Sequence, residues 1–137
     1  MKEKVRDKIK VLIIKPGKRP QVQEIGTDLK DMQAVVGGYI QEYQPFDDET
    51  AIICNEEGKL RGLTLNRAVY AANGNLTDIV AGTFFICNAP ITSETFQSLS
   101  REQLEKYEKM FHTPERFYRT ENGIKIQKIS PQRDTER

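Results

Sequence analysis

Three polar residues carry the groups best suited to recognising a small anion: Asn66, Arg67 and Asp78. An arginine offers a planar fork of N–H donors that matches a carboxylate or a phosphate. In the functional hypothesis, Asn66 and Arg67 bind an anionic or amide-bearing ligand while Asp78 orients the guanidinium. In the structural alternative, Arg67 and Asp78 form an ion pair that staples a loop.

A second polar cluster, Asn55-Glu56-Glu57-Gly58, precedes these residues. If Glu57-Gly58 forms a tight turn, Asn55 and Glu56 end one strand, and Asn66-Arg67 end the next strand at the opposite edge of the sheet. The two clusters need not be adjacent. Asn55 and Glu56 therefore remain secondary candidates for ligand binding, whereas Gly58 is explained as part of a hairpin turn.

Catalytic and metal chemistry find little support in the sequence. His112 is the only histidine that could pair with Cys54, Cys87 or a serine, and it falls in the last turn of a predicted helix, where a structural role is favoured. No Cys-x-x-Cys pair indicates zinc, and Asp47-Asp48-Glu49 lacks the glycine and the spacing of a calcium loop. We predict no catalytic residues, no metal, no cofactor and no enzymatic activity.

Nucleotide-binding motifs are also missing from the sequence. There is no P-loop and no dinucleotide fingerprint, and Gly37-Gly38 follows a predicted helix instead of preceding one. Even if Tyr39, Tyr43 and Phe46 share one side of the molecule, no basic residue interleaves them as a base-stacking surface would require.

The composition predicts one small protein domain. The chain has 137 residues, 37% of them hydrophobic, and no apolar run long enough to span a bilayer. Cys54 and Cys87 lie within apolar stretches, which predicts free buried thiols in a reducing compartment and a cytoplasmic location.

Charge is distributed unevenly along the chain. Residues 1–19 contain eight basic and two acidic side chains, a net charge of +6, whereas the whole chain carries only +1. Such a segment can bind nucleic acid, but a basic terminus that keeps an early strand soluble is the favoured interpretation. We predict a basic arm at residues 1–8, one domain at residues 9–129 and a polar tail at residues 130–137.

Hydrophobic periodicity predicts an α+β fold, with a mostly antiparallel sheet of about six to eight strands and two helices. The first strand begins near Ile9, the first helix ends at Gly37-Gly38, and an antiparallel meander follows. The second helix has a capping box, Ser100 with Gln103, and a hairpin follows around Asn122-Gly123. The remaining predicted elements are strands at Gln21 to Ile25, Tyr39 to Tyr43, Thr50 to Asn55, Leu60 to Leu65 and Ile79 to Asn88, and a loop from Arg67 to Thr77.

Five motifs together give the chain a family resemblance. They are Val11-Leu12-Ile13-Ile14-Lys15-Pro16-Gly17, Val36-Gly37-Gly38-Tyr39-Ile40, Cys54-Asn55-Glu56-Glu57-Gly58-Lys59, Leu65-Asn66-Arg67 and Asp78-Ile79-Val80-Ala81-Gly82-Thr83. From about Ile9 to Phe111 the chain resembles the domain of unknown function 3846 family of phages and mobile elements of Gram-positive bacteria. This resemblance implies a small accessory protein in the cytoplasm of the host bacterium, and it carries over no catalytic role.

Three functional hypotheses follow. The first is a protein that sequesters a small anionic, nucleotide-derived ligand to counter a host defence, with a site at Asn66, Arg67 and Asp78. The second is an inhibitor or adaptor that binds a host defence protein or another host enzyme through an exposed strand or through the Tyr39, Tyr43 and Phe46 side. The third, which is disfavoured, is nucleic-acid binding through the basic N-terminus. No membrane partner is expected, and self-association is left open.

Overall fold

The computed structural model describes residues 7–131, which fold around a five-stranded antiparallel sheet. The order of its strands is β2-β1-β7-β4-β3, so β1, β7 and β4 lie inside the sheet and β2 and β3 form its edges. The strands of the described residues are β1 Lys8–Ile14, β2 Gln21–Gly26, β3 Ile40–Tyr43, β4 Thr50–Asn55, β5 Leu65–Tyr70, β6 Leu76–Ala81, β7 Phe84–Asn88, β8 Glu115–Thr120 and β9 Gly123–Lys128. The helices are α1 Leu29–Val36 and α2 Arg101–Met110.

Both faces of the main sheet are covered. On one face, Met32 and Val36 of α1 pack with Phe85 and its neighbours in one buried cluster. On the other face, the β5–β6 hairpin and α2 contribute Val69 and Tyr107 to a second buried cluster. Burial on both faces explains why β1, β4 and β7 contain nearly continuous apolar runs instead of a strict alternation.

Local sequence signals account for the ends of both helices. Gly37 adopts φ 80°, and its backbone N–H donates to the carbonyl of Gln33, which ends α1 as predicted. At the start of α2, the Ser100 hydroxyl oxygen accepts a hydrogen bond from the backbone N–H of Gln103, and the Gln103 side-chain oxygen accepts one from the backbone N–H of Ser100. This confirms the predicted capping box.

The predicted fold class is confirmed, but the middle of the chain differs from the prediction. Residues 56–64 form turns and loop instead of a strand, and the segment predicted as a loop contains most of β5 and the start of β6. The strand predicted from Ile79 to Asn88 is divided by Gly82, which adopts φ 83°, into the end of β6 and the whole of β7. Because β5 and β6 pair only with each other and β4 pairs with β7, the predicted meander is wrong.

Among the described residues, the β8–β9 hairpin forms the second of two small two-stranded sheets and lies beside β5. Its two-residue turn is Glu121-Asn122, one residue before the predicted Asn122-Gly123, because Gly123 already pairs with Thr120 as the first residue of β9. The side chain of Glu115 accepts a hydrogen bond from the backbone N–H of Ala68 at 2.8 Å, which fixes the hairpin to β5. This contact brings β9 to the same side of the molecule as the end of α2.

Most of the predicted N-terminal arm and of the predicted C-terminal tail, residues 1–6 and 132–137, lies outside the described residues. Neither α1 nor α2, the helices between residues 7 and 131, is long and apolar enough to cross a membrane. Cys54 and Cys87 are free and buried, which confirms the prediction for both thiols.

Candidate functional site

Arg67 is a buried structural residue that lies behind the molecular surface. Its side chain is only 1% exposed. Nε and Nη2 each donate to the carbonyl of Phe111 at 3.1 Å, Nη2 also donates to the carbonyl of Lys18 at 2.5 Å, and Nη1 donates to Oδ1 of Asn66 at 2.9 Å. The guanidinium therefore joins the C-terminal end of α2 to the turn between β1 and β2.

The buried arginine has no carboxylate within ion-pairing distance among the described residues. Burial lowers its pKa to about 10, and the nearby charge of Glu115 partly opposes that shift. Arg67 therefore remains protonated at neutral pH. Carbonyl oxygens at hydrogen-bonding distance replace the water that the guanidinium loses on folding.

Asn66 occupies the other half of the same buried network and is fully buried. Its Nδ2 donates to the carbonyls of Ile14 and Gly82, both at 2.9 Å, while its Oδ1 accepts from Arg67. These bonds join the end of β1 to the break between β6 and β7. The side-chain amide of Asn66 is thus hydrogen-bonded to other groups of the protein at both its nitrogen and its oxygen.

The Arg67–Asp78 ion pair proposed from the sequence is wrong. In the β5–β6 register, Arg67 lies opposite Val80 and Asp78 lies opposite Val69. The partner of Asp78 is Lys59, whose Nζ lies 2.5 Å from Oδ1 of Asp78. Both side chains are about half exposed, so this pair contributes little to stability.

Asn55 and Glu56 come together with Asp78 instead of with Arg67. All three line a depression of about 140 Å³ beside the turn after β4. Asn55 is itself structural, since its Nδ2 donates to the carbonyl of Val36 at 3.1 Å and its Oδ1 accepts from the backbone of Glu57 at 2.8 Å. The depression is smaller than the roughly 300–1,000 Å³ of typical small-molecule sites.

Cys54 also lines this depression. Its thiol is buried, and burial together with the nearby Asp78 raises its pKa to about 11, although Lys59 lowers it slightly. A thiol with so high a pKa is a poor nucleophile at neutral pH.

Gly58 allows the turn after β4 to approach β6. A Cβ added at this position would lie 2.8 Å from the carbonyl oxygen of Ala81, which is a backbone atom. We therefore expect Gly58→Ala to lower the free energy of unfolding by about 1–3 kcal/mol, the usual cost of overpacking. Urea denaturation measures this loss. The adjacent exposed variant, Glu57→Ala, should stay within about 0.5 kcal/mol, and an equally stable Gly58→Ala protein would contradict the expected contact.

A larger cavity lies between α2, the end of β5 and the β8–β9 hairpin. Its volume is about 510 Å³, which falls within the range of small-molecule sites. We call it the α2–β9 cavity. It is lined by Phe46, Asp47, Ala68, Tyr70, Ala71, Ala72, Lys106, Met110, Phe111, Glu115 and Lys128.

The buried network supports the wall of the α2–β9 cavity. Arg67 binds the carbonyl of Phe111, and Glu115 binds the backbone of Ala68; the cavity is lined by Phe111, Ala68 and Glu115. Arg67 therefore positions this wall but does not itself line the cavity. The sequence analysis missed the cavity because its lining residues come from four separate segments of the chain.

Asp48 binds Tyr107 of α2 beside the cavity. Its Oδ2 accepts from the hydroxyl of Tyr107 at 2.6 Å, and its Oδ1 accepts from the hydroxyl of Thr50 at 2.6 Å. Burial opposes ionisation of Asp48, but these hydrogen bonds and Lys106 outweigh it and lower the pKa of the carboxyl group. Asp48 of the Asp47-Asp48-Glu49 segment therefore has a structural role.

Across residues 7–131, no three or more histidine, cysteine, aspartate or glutamate side chains are grouped so that they could hold a metal ion. His112 lies two residues beyond the end of α2 and not in its last turn as predicted, and its Nδ1 is 2.9 Å from the carboxylate of Glu108 on the helix. This is a local contact near the end of α2.

A family model described as "Domain of unknown function (DUF3846)" matches residues 9–112. No curated protein and no solved structure matches the chain significantly. The matched residues cover well over half of the chain and contain β1 to β7 and both helices. The chain therefore belongs to the DUF3846 family, and the resemblance found in the sequence is confirmed.

Proposed function

We propose that this member of the DUF3846 family binds a small ligand with an anionic group and a flat apolar group, such as a nucleotide-derived signal, in the α2–β9 cavity. One observation carries the proposal: a cavity of about 510 Å³ combines a largely apolar wall with two lysine side chains. Ligand sites commonly combine a mostly apolar lining with a few polar groups that fix orientation.

The apolar wall offers a surface for a flat ring. Tyr70 and Met110 are 44% and 45% exposed, although both line the cavity. Phe46 lies against Tyr107, with ring centroids 4.9 Å apart, which holds its ring in place. A planar group placed between Phe46, Tyr70 and Met110 would remove apolar surface from water, at roughly 25 cal/mol for each Å² covered.

The two lysines supply positive charge from opposite elements. Lys106 of α2 lies 3.3 Å from Asp48, and Lys128 of β9 lies 3.4 Å from Glu115. The lysine ends of these pairs are 48% and 67% exposed, whereas Asp48 and Glu115 are 26% and 8% exposed. Each ammonium group has three N–H donors, so it can donate to an anionic ligand while it keeps its carboxylate partner. Asp47 also lines the cavity, so the anionic group should bind away from this carboxylate.

The biological part of the proposal follows the first sequence hypothesis. In a mobile element, a protein that binds a host signal would lower its free concentration and weaken the response it triggers. The proposal moves the site from Asn66, Arg67 and Asp78 to the α2–β9 cavity, because both Asn66 and Arg67 are buried and hydrogen-bonded.

Isothermal titration calorimetry against cyclic mononucleotides, cyclic dinucleotides, ADP-ribose and nucleoside diphosphates tests the proposal. At least one of these compounds should bind the native protein. Lys106→Ala and Lys128→Ala should each weaken that binding by about tenfold, the usual effect of losing one charge-assisted contact.

Two other lysines provide matched controls. Lys109 lies on α2 and Lys125 on β9, and both are exposed without lining the cavity. Lys109→Ala and Lys125→Ala remove the same net charge from the same elements and should leave the affinity unchanged. The proposal fails if no compound binds, or if the control variants weaken binding as much as the cavity variants do.

A further inference from the structure

A second recessed surface lies on the α1 side of the sheet, along its β3 edge. We call it the β3 groove. It has a volume of about 490 Å³ and is bounded by the start of α1, by β3 and by residues 89–96. It is built from residues that do not line the α2–β9 cavity, so any activity there is independent of the function proposed above.

The backbone of β3 has an unpaired side. Glu56 donates to the carbonyl of Tyr39 at 2.8 Å, so Tyr39 faces Glu56 as a hydrogen-bonded pair. Such pairs alternate along antiparallel strands, which directs the N–H and C=O groups of Ile40 and Glu42 away from β4. Within residues 7–131, no other strand pairs with this edge.

The side chains of Ile40 and Glu42, together with Gln44, line the β3 groove beside this edge. A strand added to β3 would therefore place alternate side chains over the groove. Strand addition of this kind obtains affinity from backbone hydrogen bonds and specificity from the alternate side chains.

The far wall of the groove is held in place by backbone hydrogen bonds. Asn88 and Gln97 exchange two of them, at 2.9 and 2.8 Å, and Ala89 donates to the carbonyl of Glu49 at 2.7 Å. Ile91 lies on this wall and is 88% exposed, while Leu29 on the opposite wall is 57% exposed. The groove thus presents two uncovered apolar side chains on a defined backbone.

The charge of the groove indicates the chemistry of its occupant. Glu42 and Glu94 line it, and no lysine or arginine from the described part of the chain does. A second copy of this chain paired through β3 would bring two Glu42 side chains into one short interface, where like charges repel. An occupant with a basic side chain avoids that repulsion.

We infer that β3 and the β3 groove bind an extended segment of a partner protein, with a lysine or arginine placed between apolar side chains. The segment adds a strand to the edge at Ile40 and Glu42. Its apolar side chains cover Leu29 and Ile91, and its basic side chain lies beside Glu42 and Glu94.

Fluorescence anisotropy with an array of labelled synthetic peptides tests this inference. Each peptide is about eight residues long, within the usual range of strand lengths, and has lysine, arginine, glutamate or serine at a central position with valine two residues before it and isoleucine two residues after it, so that all three side chains lie on one face. Peptides with lysine or arginine should bind, and those with glutamate should not. Glu42→Lys should weaken binding of the basic peptides by about tenfold, whereas Glu24→Lys on the opposite edge strand should have no effect.

Backbone methylation separates strand addition from simple charge attraction. N-methylation of alternate peptide residues removes the N–H groups that face β3 in one register, and methylation of the intervening residues removes the others. One methylation pattern should abolish binding and the other should preserve it. When a peptide binds, the amide signals of this protein that shift in NMR spectra should be confined to β3 and residues 89–96. Equal binding of both patterns, no binding by any basic peptide, or a dimer in sedimentation velocity that Glu42→Lys dissociates would overturn the inference.

Discussion

Replacing Arg67 with alanine is expected to lower the free energy of unfolding by about 3–5 kcal/mol, the range seen when buried charged networks lose a member or large side chains are deleted. The variant leaves the carbonyls of Phe111 and Lys18 without their guanidinium donor and opens a cavity at a side chain that is only 1% exposed. Chemical denaturation with urea, followed by circular dichroism, measures the change.

Two further arginine variants separate charge from geometry. Arg67→Lys keeps the positive charge, but one ammonium group cannot reproduce the fork that reaches Phe111, Lys18 and Asn66, so a loss of about 2–3 kcal/mol is expected. Arg61→Ala removes an exposed arginine and should change stability by about 0.5 kcal/mol or less. An Arg67→Ala protein as stable as Arg61→Ala would show that the network is not needed.

Elements with local signals were predictable from the sequence. The Ser100–Gln103 capping box lies within four consecutive residues, and the β8–β9 turn lies one residue from the predicted Asn122-Gly123. The turn that joins β1 and β2 contains Pro16-Gly17, which predicts it in the same way. In each case the residues that determine the structure are neighbours along the chain, so their meaning does not depend on the rest of the fold.

The error in the middle of the chain has a nonlocal cause. Asn66 and Arg67 are polar, and the sequence alone favours a strand end or a loop at such residues. Their partners are carbonyls of distant segments: Phe111 lies 44 residues from Arg67, Lys18 lies 49 residues from it, and Ile14 lies 52 residues from Asn66. A polar residue can occupy a buried strand when the fold supplies such partners, and no local pattern reports them.

The candidate cavity could not be predicted from local sequence either, because segments that are far apart in the chain line it. Most of its lining lies in the region that the DUF3846 model matches, but Glu115 and Lys128 belong to the β8–β9 hairpin beyond residue 112. One of the two lysines proposed to bind the anionic group therefore comes from outside the matched region. Ligand choice in this protein is thus proposed to depend on a segment outside the matched region.

Asn66→Ala is expected to lower the free energy of unfolding by about 2–4 kcal/mol, because the carbonyls of Ile14 and Gly82 and one N–H of Arg67 each lose a partner. Asn66→Asp distinguishes two explanations for this loss. An aspartate side chain can still accept the hydrogen bond from Arg67. It has no N–H group to donate to the carbonyls of Ile14 and Gly82, and its second oxygen would face them instead. If Asn66 served only to orient Arg67, the aspartate variant would keep nearly full stability; we expect it to be destabilised at neutral pH.

A double-mutant cycle shows whether Asn66 and Arg67 act as one unit. Because the two side chains share a hydrogen bond of 2.9 Å, their alanine variants should be non-additive, with a coupling energy of about 1–2 kcal/mol measured by urea denaturation. Asn75→Ala, in an exposed loop, should change stability by about 0.5 kcal/mol or less and add independently to Arg67→Ala. Strict additivity of the Asn66 and Arg67 variants would mean that β1, β6 and α2 are joined by separate contacts. Coupling means that one buried network fixes the end of β1, the break before β7 and the wall of the α2–β9 cavity together.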